Sequence, residues 1–173
     1  MSAHRMIPTR KHLEYALGYI ALSLLTEARA ELALIRREDE KSAGVLVVKI
    51  ELAMAEEAWR RVDKLASEAT QLVPTLERPW IAWAYALREL QKVGRARAVL
   101  LEGELVIEEP TVLVDYNLAC YFCLLGDLAT ARWRLANVFK REPTWKAEAA
   151  DDPDLAALYA RDVDGGENGE VPF

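Results

Sequence analysis

The chain has 173 residues, 52% of them apolar and 29% charged, with 8 Gly, 7 Pro and 2 Cys. One domain of ordinary size with a full core is expected, and two cysteines are too few for a disulfide framework. The formal charge of −6 and a pI of about 5.1 weigh against nucleic acid and anionic membranes, whose binders carry basic faces.

The first residues, MSAHRMIPTRKH, hold no apolar run of the kind that makes a secretory signal. No apolar stretch approaches the ~20 residues that span a bilayer. The expected compartment is the cytoplasm.

In chain order, apolar residues recur every three or four positions, as on helices. Leu13, Ala16, Leu17, Ile20 and Leu24 form one stripe, and Leu25, Ala28, Leu32 and Ile35 the next. The charged run 37–44 ends in Gly44. Pro74 and Pro79, then Pro110, then Pro143 mark the later boundaries. Subtler breaks fall at Ser23, Glu56–Glu57, Val93–Gly94 and Gly126–Asp127. Short helices joined by short connections predict an all-α array of hairpins.

The hairpins repeat. Their first helices carry Tyr15-Ala16-x2-Tyr19, Lys49-Ile50-x2-Ala53, Trp83-Ala84-x2-Leu87 and Leu118-Ala119-x2-Phe122. Their second helices place Ala28, Val62, Ala96 and Ala131 at spacings of 34, 34 and 35. This period resembles the tetratricopeptide repeat (TPR), whose pattern is W-x2-L-G-x2-Y, then A-x3-F, then P. The likeness covers residues 9–143, with the fourth unit (Leu118 to Pro143) the clearest. Lys49 departs from the pattern, standing at an ordinarily apolar place. So do Glu40, where the first unit's closing Pro belongs, and Pro110, which comes two residues late.

The resemblance implies a right-handed α-solenoid of four helix–turn–helix units. Small residues (Ala16, Ala28, Ala84, Ala96, Ala119, Ala131) let paired helices approach, and each hairpin needs neighbours to cover its apolar face. Residues 1–8 read as an N-terminal extension, and 144–161 as a C-terminal capping helix using Trp145, Leu155 and Leu158. Asp152 before Pro153 reads as a helix start. Residues 162–173 read as an acidic, flexible tail.

Cys120 and Cys123 form a CxxC, yet they fall well inside a helix, away from the N-terminus or cation that would activate a thiolate. Zinc wants four ligands, and the two histidines, His4 and His12, are far off in sequence. Reduced structural thiols are expected, with no metal and no cofactor. His12 reads as a surface or groove residue. Arg132, Arg134, Lys140 and Arg141, interleaved with a partly tucked Trp133, read as an outer face. No P-loop, GxGxxG or HExxH motif is present, and no catalytic residue is assigned.

In the TPR family the first helices line a concave groove that takes partners. By that resemblance the groove holds Leu13, Leu17, Ile20, Val47, Met54, Ile81, Tyr85, Arg88, Tyr116 and Asn117. Tyr85 and Tyr116 are the expected anchors. The basic clamp that some TPR domains use for carboxylate tails is missing, since Leu13, Leu17 and Ala82 occupy its places. The expectation is a non-enzymatic protein-interaction module holding an apolar peptide or amphipathic helix. The alternative is a self-associating assembly protein that uses the groove or the first unit's face.

Overall fold

The computed structural model describes residues 7–160. The expected tail, and all but the last two residues of the expected N-terminal extension, lie outside the described residues. Ten helices follow in order: α1 (Thr9–Ala21), α2 (Leu25–Ala33), α3 (Ala43–Ala55), α4 (Trp59–Leu72), α5 (Glu77–Glu89), α6 (Val93–Val106), α7 (Val112–Leu124), α8 (Leu128–Arg141), α9 (Trp145–Asp151) and α10 (Ala156–Tyr159). A 3₁₀ turn, Pro153–Leu155, separates the last two. There is no strand among the described residues.

The helices pack antiparallel in sequential pairs, α1 with α2 through α7 with α8. Between successive pairs the second helix packs on the next first helix, as α4 on α5 and α6 on α7, and the first helices also touch in turn, α1 with α3, α3 with α5 and α5 with α7. Helices α2, α4, α6 and α8 make no comparable approach to one another. This arrangement is consistent with a helical repeat.

The turn inside each pair recurs with the sequence period. Ser23, Glu57, Gln91 and Gly126 have φ of 59°, 52°, 59° and 83°. After each, an N–H reaches back five residues: Leu24 to the Tyr19 carbonyl (2.9 Å), Ala58 to Ala53 (2.9 Å), Lys92 to Leu87 (2.8 Å) and Asp127 to Phe122 (2.9 Å). The preceding N–H reaches back three, as Ser23 does to Ile20 and Gly126 to Cys123. These paired bonds satisfy the last carbonyls of the first helix and reverse the chain. The third break is therefore at Gln91. Val93 and Gly94 already belong to α6, because the left-handed residue ends α5 before them.

All six small residues expected between paired helices are fully buried. Three core clusters lie along the array. One joins α1, α2 and α3 around Ala16, Ala28 and Val45. The second joins α3, α4 and α5 around Ile50, Val62 and Ala82. The third runs from Trp80 through Leu135 to Leu158. At Gly103 a Cβ would come within 2.7 Å of Trp80 Cγ, so α6 approaches α5 more closely than any other residue would allow.

The C-terminal cover is broken where a single helix was expected. Pro153 has no N–H, so α9 stops at Asp151. The Asp152 carboxylate accepts from the Asp154 N–H at 2.8 Å, which is the cap role read from the sequence. Leu155 and Leu158 are buried in the same cluster as Leu135 and Val138. The 3₁₀ turn lies against α7, so the cover leans onto the first-helix side of the fourth pair. No helix among the described residues is long and apolar enough to cross a membrane.

Candidate binding site

A cavity of about 310 Å³ lies between α3, α5, α7 and the C-terminal segment. Six of the ten expected residues line it: Met54, Ile81, Tyr85, Arg88, Tyr116 and Asn117. The other four lie elsewhere. Leu13 and Ile20 pack into the first core cluster, Val47 is half-buried on α3, and Leu17 is 44% exposed on α1.

The spacing of first helices explains the convergence. Met54, Arg88 and Cys123 are equivalent positions in three units, and so are Ile81 and Tyr116 in two. Adjacent packing of α3, α5 and α7 brings several of these side chains to one wall. Tyr85 is 38% exposed, and its ring centroid lies 5.7 Å from that of Trp59 on α4. Asn117 Nδ2 donates to the Leu113 carbonyl at 2.8 Å, and its Oδ1 accepts from the Tyr121 hydroxyl at 3.4 Å.

The arginines of the cavity are paired internally. Arg78 donates through Nε (2.5 Å) and a terminal nitrogen (2.7 Å) to Glu51. These bonds strengthen its hold on its proton. Arg88 Nε donates to Asp154 at 2.8 Å, a second nitrogen contacts the other carboxylate oxygen, and Nη1 donates to Glu89 at 2.6 Å. Asp154 foremost holds that guanidinium charged.

Tyr116 is buried under the C-terminal segment. Its hydroxyl donates to Asp152 at 2.8 Å, and its ring sits 4.7 Å from that of Trp145. Burial first, and the Asp152 carboxylate second, push its phenol above the ordinary range. Sequence reasoning put Tyr116 among the anchors but missed Trp145, Asp152 and Asp154 as cavity residues. Asp-Pro-Asp announces a helix start, and nothing in its pattern says which wall it will face.

Cys120 and Cys123 are both buried free thiols. Burial, chiefly, raises both above a free cysteine. Sγ of Cys120 and carboxylate oxygens of Asp152 and Asp154 lie within 4.8 Å of one another, a set able to offer three ligand atoms to a cation. Each carboxylate already has other partners. Asp152 accepts from Tyr116, from the Asp154 N–H and weakly from Cys120 at 3.7 Å, and Asp154 holds Arg88. Cys123 is outside the cluster, so the CxxC pattern does not converge as a ligand pair.

Three further sequence readings change. His12 is buried, with Nδ1 2.7 Å from a Glu31 oxygen across the first pair. It faces inward because α1 turns this side to α2. Arg134 is buried too. It bridges Glu104 on α6 and Asp115 on α7, the latter at 2.8 Å. Trp133 points outward and is 59% exposed. The outer face of α8 therefore presents Arg132, Trp133 and Lys140, while Arg134 fastens three helices together.

No protein-family profile matches the chain, and no curated protein matches it.

Proposed function

We propose that the chain is a TPR-like right-handed α-solenoid and a non-enzymatic interaction module. Its groove, on the first-helix face, takes an amphipathic helix or an extended apolar peptide. The recurrent left-handed turn and the contact of each first helix with the next, α1 with α3, α3 with α5 and α5 with α7, support the architectural half of this reading. The observation that carries the functional half is the cavity. Residues of three consecutive units meet there, and their arginines are already paired with carboxylates of the chain itself. What the cavity offers a partner is the apolar and aromatic surface of Met54, Ile81, Leu113 and Tyr85.

In this reading Tyr85 is the anchor, and Arg88 and Tyr116 shape the wall by holding the C-terminal segment. The module needs no cofactor or metal. Its acidic balance suits a protein partner in the cytoplasm better than nucleic acid or a membrane.

The test is a titration with a partner obtained by pull-down using the full chain. Tyr85→Ala should lower affinity by about 2 kcal/mol, roughly thirtyfold. Arg132→Ala on the outer face of α8 should leave it unchanged. The reverse pattern would sink the groove reading.

A second reading is self-association through the first pair. Tyr15, Leu17, Leu22 and Leu24 are all exposed there, Leu22 by 70%. Light scattering distinguishes the two. A dimer that Leu22→Glu dissolves would favour this second reading.

A further inference from the structure

The departure at Lys49 has a structural counterpart. Between α2, α3 and α4 lies a cavity of about 350 Å³, lined by Leu32, Leu52 and Leu65 and by the cations Arg29, Lys49 and Arg61. It opens on the opposite flank of α3 from the Tyr85 cavity, shares no lining residue with it, and does not depend on the peptide reading.

Comparison along the repeat shows what is particular to this cavity, the charge of its lining. Lys49 corresponds to Trp83 one period later, and Arg29 corresponds to Asp63. At the later interface an indole stands in place of the lysine, and its Nε1 donates to Asp63 at 2.6 Å. One period further on, Leu118 is fully buried and Arg97 lies over the Phe122 ring, 5.3 Å from its centroid. A cavity of about 290 Å³ remains beside Trp83, but its lining holds Glu102 and no cation. At the first interface an indole and its acceptor are replaced by two cations, which leaves like charge beside the open space.

The chain supplies only part of the neutralisation. Arg29 and Arg61 share a single carboxylate, Glu56. Lys49 Nζ makes only a long bond, 3.4 Å, to the Glu40 carbonyl oxygen, and pairs with no carboxylate among the described residues. Counting Glu40 as well, three cations face two carboxylates, so one positive charge is left over at the mouth of an apolar cavity. The chain as a whole is acidic, so this local excess runs against the overall charge. Lysine suits it physically, because its methylene stem can lie along the leucines while the ammonium reaches the mouth.

We propose that this cavity binds a small organic monocarboxylate, its apolar body on Leu32, Leu52 and Leu65 and its carboxylate between Lys49, Arg29 and Arg61. The volume falls within the range of small-molecule sites, about 300–1,000 Å³. An apolar floor with a few convergent polar groups is the usual composition of such sites. The single surplus charge selects a monoanion over a dianion.

The test uses the full chain and octanoate as the probe, with octanol and inorganic phosphate as controls. Amide chemical shifts and calorimetry read the binding. Octanoate should saturate the protein at millimolar concentration or below and shift the amides of α2, α3 and α4 around Arg29, Lys49 and Arg61. Lys49→Met keeps the apolar stem and should weaken octanoate by about tenfold or more. Leu65→Trp, checked for helicity, should abolish binding by filling the cavity. Lack of saturation would overturn the proposal. Equal binding by Lys49→Met, or octanol binding as tightly as octanoate, would remove the cationic mouth. Phosphate binding as tightly as octanoate would remove the apolar body.

Discussion

Arg88 and Asp154 are 66 residues apart in the chain and meet through two parallel hydrogen bonds. The pair joins the end of α5 to the turn between α9 and α10, and so fixes the C-terminal segment across α7. Arg88→Met and Asp154→Asn should each lower stability by about 1–2 kcal/mol, below the full charged-bond value because the pair keeps some contact with water. Urea denaturation checks this. The double variant should lose less than the sum of the two. Strict additivity would mean that the contact contributes nothing as a pair.

The apolar side of that segment should matter more. Leu155 is fully buried and Leu158 nearly so. Leu155→Ala and Leu158→Ala should each cost about 2–5 kcal/mol, a large share of a typical net stability of about 5–15 kcal/mol. Thermal melts would reveal a cover that is dispensable if both variants melted like the parent.

Arg134 is expected to be structural. Burial works against its charge, and the bonds to Glu104 and Asp115 more than offset that. Arg134→Ala would leave two carboxylates facing each other between α6 and α7. The expected loss is about 2–3 kcal/mol, less than for a fully buried pair because Glu104 keeps 30% of its side chain in water. Adding Glu104→Gln to Arg134→Ala should recover part of it. Arg132→Ala, the neighbouring outer-face change, should be neutral in the same denaturation series.

The four left-handed turns give a test of repeat equivalence. Glu57 and Gln91 hold φ values that cost ordinary residues energy, while Gly126 holds its own without that penalty. Gln91→Gly and Glu57→Gly should stabilise by about 0.5–1 kcal/mol, after allowing for the freer unfolded chain. Gly126→Gln should destabilise by a similar amount. Opposite signs in calorimetry would mean that the turns only look alike.

The buried thiols predict a pH effect. A raised thiol pKa in the folded chain means that only the unfolded chain ionises near the ordinary value of about 8.5. Stability from this source is therefore complete below that pH and declines as pH rises above it. Cys120→Ala should flatten the decline. In the native protein both thiols should react slowly with a disulfide reagent at pH 8 and rapidly in denaturant. Fast reaction of the folded chain would contradict the burial.

Much of the fold could be read in the sequence because helix packing is written in local periodicity. Ala28, Val62, Ala96 and Ala131 recur because each must let two helices approach, and all four are fully buried. The candidate cavity was readable in half measure. Met54, Tyr85 and Arg88 follow from the repeat frame, since equivalent positions on adjacent first helices share a wall. The contribution of Trp145, Asp152 and Asp154 did not follow. Their segment stands outside the repeat, so no equivalent position fixes the side it covers. Arg134 was misread for a related reason. Its ion partners come from α6 and α7, 30 and 19 residues away, and a charge on α8 taken alone looks like a solvated one. Lys49 was noticed as an exception, but its meaning needed the Trp83–Asp63 contact for comparison.

The tilted contact of Trp145 with Tyr116 gives the molecule an optical signature of its own. Five indoles are present, and they occupy unlike surroundings: Trp80 in the core, Trp83 bonded to Asp63, Trp59 beside Tyr85, Trp133 in water and Trp145 on the C-terminal segment. Emission from a variant retaining only Trp145 would shift to the red as that segment lifts away. One retaining only Trp59 would respond when a partner reaches Tyr85. Fluorescence of single-tryptophan variants can thus follow the lifting of the segment and the filling of the cavity as two separate signals.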